Sequence, residues 1–252
     1  MTAAAVALDD AALAAAADDL EAAPPEAILR WAAARFAPRL GFATGLGVEG
    51  CVLIDLIGRH RLPVDVFTLD TSVLFDETYA LWERLEARYD LTIRAVRPAL
   101  TLDAQAVAHG PALWQRDPDA CCAIRKVAPL AAEAARLDAW VSAIRRDQTP
   151  DRADARVVER DPRFGIVKLN PLARWTSRDV WRHVLTHDVP YNPLHDQGYP
   201  SIGCAPCTGP VAEGEDPRAG RWRGQAKTEC GLHARPAVAP VAIRPRGEGE
   251  AS

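Results

Sequence analysis

Six cysteines carry the first chemical signal in this 252-residue chain. Cys121 and Cys122 are adjacent, Cys204 and Cys207 bracket Ala-Pro, and Cys230 stands alone in Lys-Thr-Glu-Cys-Gly-Leu-His, ending at His233. Four thiols in two pairs suit a tetrathiolate site that pins a distant loop to the body of the protein, and zinc and an iron–sulfur cluster both accept four thiolates. Spacing alone leaves that choice open. Side chains of neighbouring residues diverge, which sits more easily with a cuboidal cluster offering a separate iron to each sulfur than with one tetrahedral ion. A Cys-x-x-Cys run also occurs as a thioredoxin-like redox pair, and buried cysteine often serves as a small apolar residue. Cys51, inside Cys-Val-Leu-Ile-Asp-Leu-Ile, reads as core packing.

Cys230 is a different case. A thiolate is a nucleophile, and nearby cations lower the thiol pKa. Lys227, His233, Arg218, Arg221 and Arg223 could supply that field. On residue types alone, a nucleophile and a surface cysteine near a frayed terminus stand equal.

The elements that must position these groups alternate. Two helices open the chain, over Asp9–Ala22 and after Pro24-Pro25, where proline fits the first turn. A strand near Leu40–Ala43 leads through the glycine-rich Thr-Gly-Leu-Gly-Val-Glu-Gly into an apolar helix. Val-Asp-Val-Phe-Thr-Leu-Asp-Thr reads as a second strand, Asp-Glu-Thr-Tyr-Ala-Leu-Trp-Glu-Arg-Leu-Glu-Ala-Arg-Tyr as an amphipathic helix, and Leu-Thr-Ile-Arg-Ala-Val as a third strand. A helix over 127–135 precedes a fourth strand within 138–144. The segment from Arg145 to Asp161 reads as a polar loop, Gly-Ile-Val-Lys-Leu-Asn-Pro-Leu as a short strand, and Ser-Arg-Asp-Val-Trp-Arg-His-Val-Leu-Thr-His-Asp as a helix. The Pro- and Gly-rich stretch beyond, through Trp222, is too long for an idle connection, and its cysteines mark it as functional. The pattern predicts an α/β fold with a mostly parallel sheet flanked by helices, ligands at the carboxyl ends of its strands, and a Cys-anchored C-terminal loop.

Composition narrows the function classes. With 48% hydrophobic and 25% charged residues the chain is that of a globular protein. The formal charge of -4 argues against bulk nucleic-acid binding. Only Lys126, Lys168 and Lys227 are lysines among the 30 Lys and Arg, and arginine suits bidentate contact with phosphate or sulfate. The Ala-rich start carries several aspartates and no basic flank, so neither a secretory signal nor a membrane span is expected. A cytoplasmic protein with reduced thiols follows. We expect one domain over residues 1–233, with N-terminal helices in 1–38, and a disordered, mobile tail over 234–252.

The ordered set Cys-Cys-Ala-Ile-Arg-Lys, Arg-Arg-Asp-Gln-Thr-Pro, Pro-Tyr-Asn-Pro-Leu-His-Asp-Gln-Gly-Tyr-Pro-Ser-Ile-Gly-Cys-Ala-Pro-Cys-Thr, Gly-Arg-Trp and Lys-Thr-Glu-Cys-Gly-Leu-His, following Phe-Thr-Leu-Asp-Thr, resembles the assimilatory sulfonucleotide (APS/PAPS) reductases. It is most similar to their iron–sulfur, thioredoxin-dependent adenylylsulfate (APS) reductase branch, over about residues 40–233. The resemblance implies a fold like that of the adenine-nucleotide α-hydrolases, with a phosphate turn at Thr44, Gly45, Gly47 and Glu49. Leu46 stands where serine is common and Gly50 where aspartate is common. It further implies nucleotide contacts at Asp70, Thr71, Arg145 and Arg146, with Arg218 and Arg221 near the transferred group. One 4Fe-4S cluster per subunit on Cys121, Cys122, Cys204 and Cys207 is implied as well.

The implied chemistry is attack of the Cys230 thiolate on the sulfonate sulfur of APS, expelling AMP, aided by Lys126 and His233. Reduced thioredoxin or glutaredoxin then releases sulfite, in assimilatory sulfate reduction and cysteine biosynthesis. The same motifs admit PAPS or both nucleotides as substrate, and leave self-association open. A zinc-bearing ATP pyrophosphatase and an iron–sulfur sensor are more remote readings.

Overall fold

The computed structural model describes residues 8–225 together with Lys227 and Leu232. Its centre is a six-stranded sheet of order β3-β2-β1-β4-β6-β5, built from β1 (Leu40–Thr44), β2 (Asp65–Leu69), β3 (Arg94–Val96), β4 (Ala139–Val141), β5 (Val158–Arg160) and β6 (Val167–Leu169). Every pairing is parallel except β5 with β6. After β1 the chain steps outward through β2 and β3, then returns to the other side of β1 at β4. That reversal opens a crevice beyond the carboxyl ends of β1 and β4, the place where open α/β sheets bind ligands.

Helices cover both faces, so the strands are buried on two sides. On one face α2 (Pro25–Phe36), α3 (Val48–Arg59), α4 (Asp76–Tyr89) and α9 (Ser177–His187) enclose Leu40, Phe42, Val66 and Ile54. The other face packs Phe67, Trp140, Leu137 and Val96 with Leu130 of α8 (Ala128–Ala134). Helix α3 starts directly after β1, and α9 opens on a capping box in which Thr176 Oγ1 accepts from Asp179 N at 3.2 Å.

Three features depart from expectation. The segment 145–161 is not all loop, because β5 lies within it as an edge strand antiparallel to β6. Its charged Glu159 and Arg160 hid it, and such residues belong at an edge, here flanked by α1 (Asp10–Leu20) with Arg160 Nε on Asp10 at 2.9 Å. The helical run carrying the paired cysteines begins well before 127, at α7 (Pro118–Cys122), capped by Asp117, and passes through a π-turn at Ala123–Val127. Short helices α5 (Leu102–His109) and α6 (Leu113–Arg116) precede it.

The long segment after α9 folds back as a cover. Buried Asn192 donates to Thr78 Oγ1 at 3.0 Å, Ala205 N to the Val73 carbonyl at 2.8 Å, and Trp222 N to the Cys207 carbonyl at 3.0 Å. Among the described residues no helix is long and apolar enough to cross a membrane.

Candidate active site

A cavity of about 870 Å³ fills the crevice, floored by the turns after β1 and β4 and roofed by the covering segment. The turn after β1 is built for an anion. Gly47 leads into α3 with no side-chain cap, so the first N–H groups of a 12-residue helix are left for a ligand. Thr44 Oγ1 accepts from Leu46 N at 3.0 Å and fixes the turn. Gly50 sits beneath it: a Cβ there would lie 2.6 Å from Thr44 Oγ1, so the threonine takes the space a larger residue would need. Thr44, Gly45, Gly47 and Glu49 all line the cavity.

The turn after β4 contributes Arg145, 7% exposed, whose Nη1 pairs with Glu49 and whose Nε meets Asp147 Oδ1 at 2.9 Å. Gln148 Nε2 also donates to Glu49 Oε1, at 3.0 Å. This end of the cavity thus balances its cation with carboxylates. Arg146, expected beside Arg145, is elsewhere. Backbone at Arg145 is extended, which sends successive side chains to opposite sides. Arg146 instead holds both oxygens of Glu21, at 2.6 and 3.0 Å, and the Ala155 carbonyl at 2.7 Å.

Asp70 also departs from the expected contact set. Thr71 lines the cavity, whereas the Asp70 carboxylate accepts from Ser72 N at 3.0 Å, Tyr79 Oη at 2.8 Å and Arg97 Nε at 3.0 Å. Burial opposes its charge, but these donors outweigh that and hold the carboxyl below its ordinary range. Asp70 therefore shapes the turn that presents Thr71.

The cavity wall also carries Lys126, Arg218 and Arg221, with Glu215 and Asp216 contributed by the same covering segment. Arg221 stacks 4.5 Å from the Trp222 ring centroid and donates to Ser201 Oγ at 3.3 Å. Arg221 Nε and His195 Nε2, both on residues bordering the cavity, are buried without a partner among the described residues. Such atoms are exceptions in folded proteins and here point to an absent polar ligand. His195, Ser177, Trp181 and Arg152 are wall residues that motif reading passed over. Trp181 and His195 meet edge to face with ring centroids 5.5 Å apart, a contact that local sequence patterns do not show.

Alongside the large cavity, Cys121, Cys122, Cys204 and Cys207 border one small second cavity, although they come from two distant segments. Among the described residues no three Cys, His, Asp or Glu converge as a single-ion site. Burial and the neighbouring Cys204 push the Cys207 thiol up to about 11 and raise Cys121 as well. Thiolates gathered this closely are stabilised by a cationic group bound between them. Thr71 Oγ1 lies 3.3 Å from Cys204 Sγ. Lys126, Cys204 and Trp222 border both cavities. Cys51 is fully buried, its thiol pushed up to about 12 by desolvation, as suits a packing residue.

Cys230 and His233 lie outside the described residues, as does 234–252. Their neighbours are informative. Lys227 pairs with Asp119 and sits 5.4 Å from the Trp222 ring centroid. Leu232 lines the large cavity and packs on the cluster containing Trp140 and Leu130.

Comparison with known proteins gives one consistent answer. Residues 39–210 match the phosphoadenosine phosphosulfate reductase domain family. The chain is 50% identical over 207 residues to the adenosine 5'-phosphosulfate reductase of Halalkalibacterium halodurans, covering 82% of this chain and 90% of that one. It is 48% identical over 213 residues to the phosphoadenosine 5'-phosphosulfate reductase of Gloeobacter violaceus, covering 83% and 88%. Among solved structures, the phosphate complex of phosphoadenylyl-sulfate reductase from Candida auris superposes with a TM-score of 0.72 at 30% identity, covering 82% of this chain and 100% of that one.

Proposed function

The chain belongs to the phosphoadenosine phosphosulfate reductase family, and from that premise we propose that it reduces adenosine 5'-phosphosulfate to sulfite and AMP in sulfate assimilation. The observation that carries the site assignment is that Leu232 lines the nucleotide-sized cavity and packs on the cluster containing Trp140. In the sequence Cys230 stands two residues before Leu232.

In this reading the α3 N-terminus binds the nucleotide phosphate, and Lys126, Arg218 and Arg221 neutralise charge on the sulfonate. The Cys230 thiolate attacks the sulfonate sulfur; the S–O bond to the phosphate breaks, and AMP departs with that electron pair. His233 stands three residues from Cys230 as the nearby imidazole that favours the thiolate. A thiolate of a dithiol reductant, thioredoxin or glutaredoxin, then attacks Cys230 Sγ, releasing sulfite and forming a mixed disulfide. The second reductant thiolate resolves it, so the two electrons come from the dithiol. The four cysteines suit a 4Fe-4S cluster by donor type and by bordering one small cavity; bound there, it would tie the covering segment to the body and contribute electrostatics. A reducing, cytoplasmic setting fits this chemistry.

A second substrate reading has support in the Gloeobacter relative's name. Against it, Arg145 is already paired with Glu49 and Asp147 and so is not a free cation for a further phosphate. The test is anaerobic assay of AMP and sulfite formation from each nucleotide, with wild type and Cys230→Ser. We expect product from wild type with adenosine 5'-phosphosulfate, none from Cys230→Ser, and a wild-type protein adduct 80 Da heavier, the mass of SO3, when reductant is withheld. An active Cys230→Ser enzyme would refute the assignment.

A further inference from the structure

His195 stands in the covering segment, on the short turn Pro193–Gln197 that follows α9. That turn is firmly held. Asn192 before it is fully buried, its Oδ1 accepting from Leu194 N at 3.0 Å and its Nδ2 donating to Thr78 Oγ1 at 3.0 Å, and Leu194 is buried beside it. The imidazole then meets the Trp181 ring edge to face, with centroids 5.5 Å apart and planes at 90°. Both side chains border the nucleotide cavity, as does Glu49.

The two ring nitrogens of His195 are not equivalent. A backbone hydrogen bond with Tyr199 favours the protonated ring, so in it the imidazole donates N–H to a carbonyl. Nε2 is buried with no partner among the described residues, which leaves Nδ1 as the donor. A neutral ring with its proton assigned to Nδ1 presents a bare lone pair at Nε2. Burial lowers the pKa of the ring and keeps it neutral, against the opposing pull of Glu49 and Asp196.

A lone pair needs a donor, and the oxygens of an ionised phosphosulfate are acceptors only. The donors on an adenosine nucleotide are its ribose hydroxyls and the exocyclic amine of its base. The surroundings separate these. Ala43, Leu69, Leu130 and Trp140 belong to one apolar cluster that reaches the cavity and suits the base, whereas His195 feels the charge of Glu49, in polar company that suits a sugar.

We propose that His195 is a substrate-recognition residue, its Nε2 accepting a hydrogen bond from a ribose hydroxyl of the nucleotide. This rests on the nucleotide reading given above. A phosphate ester at that hydroxyl would remove the donor and set an acceptor against the lone pair, so the same contact disfavours a nucleotide phosphorylated there. A histidine kept only to pack on Trp181 would be matched by phenylalanine and would have no use for the lone pair.

The experiment measures binding of AMP, 2'-deoxy-AMP and 3'-deoxy-AMP by calorimetry to wild type and His195→Phe, both purified anaerobically. We expect wild type to bind one of the two deoxy analogues about tenfold more weakly than AMP, the effect of losing one neutral hydrogen bond. His195→Phe should bind AMP about tenfold more weakly than wild type does and no longer distinguish it from that analogue. A His195→Phe protein that keeps the wild-type preference overturns the proposal, as does wild type indifferent to both hydroxyls. Should His195→Phe fail to fold by circular dichroism, nitrogen NMR of the wild-type imidazole decides: the Nε2 resonance should move on adding AMP and stay on adding the weaker analogue, and an Nε2 resonance unmoved by AMP overturns it. Wild type that binds none of the three defeats the nucleotide reading itself, a distinguishable failure that takes the proposal with it.

Discussion

Lys126 lies one helical turn beyond Cys122 and borders both cavities, so its charge serves the nucleotide site without being required to build the thiol site. Lys126→Ala should lower kcat/KM for adenosine 5'-phosphosulfate by about 10²–10³-fold, as removal of a transition-state charge partner does, with iron content unchanged. Full activity would remove Lys126 from the reaction. Elsewhere on the cavity wall, Glu49→Gln keeps a polar partner for Arg145 but deletes the negative charge. Selectivity against the 3'-phosphorylated nucleotide should fall, read as the ratio of kcat/KM values, since Arg145 is then released from its ion pair to meet a further anion. An unchanged ratio would place the discriminating group elsewhere.

Between elements, α3 and α9 are joined through Asp55, whose carboxylate, 1% exposed, meets His183 Nε2 at 2.8 Å, Tyr89 Oη at 3.0 Å and Arg59 Nη1 at 3.3 Å. Both helices begin at the nucleotide cavity, so this contact sets the spacing of its walls. Burial opposes the Asp55 charge, but His183, Tyr89 and Arg59 outweigh it and lower the pKa. The linked stability is therefore present above the unfolded value near 3.9 and lost as pH falls through the lower folded value. Asp55→Asn should cost about 2–3 kcal/mol at neutral pH, with the gap from wild type narrowing below about pH 4 in denaturant titrations. A pH-independent gap would mean the loss is packing alone. Asp55 was visible in the sequence as one acid in an apolar helix, but besides Arg59 one turn on in α3 its partners His183 and Tyr89 come from two other helices and could not be read locally. The long periodic helices were legible for the opposite reason: α4 spans the segment read as amphipathic, Asp76–Tyr89, because its apolar stripe is local information. Strand β5 was not, since its pairing with β6 and its cover by α1 are set by distant residues. The same limit separated Arg145 from Arg146: adjacent and chemically identical, they are assigned by backbone direction alone. The cysteines were legible because their type and pairing carry the chemistry whatever the fold.

At the scale of the molecule, the cavity is closed by a segment that reaches it after the sheet is complete, tied down at Val73, Thr78 and the thiol site. The β1 and β4 turns belong to the sheet, whereas the roof depends on those ties. Binding of AMP should therefore protect the backbone of residues 198–222 from hydrogen exchange more than that of 40–44; equal protection would describe a rigid pocket. The wall common to both cavities has a physiological corollary. Where Lys126, Cys204 and Trp222 face substrate on one side and sulfur on the other, damage by air to the sulfur side should be felt first as weakened grip on the nucleotide, ahead of any melting of the sheet. Brief aeration should raise KM before it lowers Tm. Sulfite, itself toxic in excess, would then cease to be made in an oxidised cell while the polypeptide survives for repair.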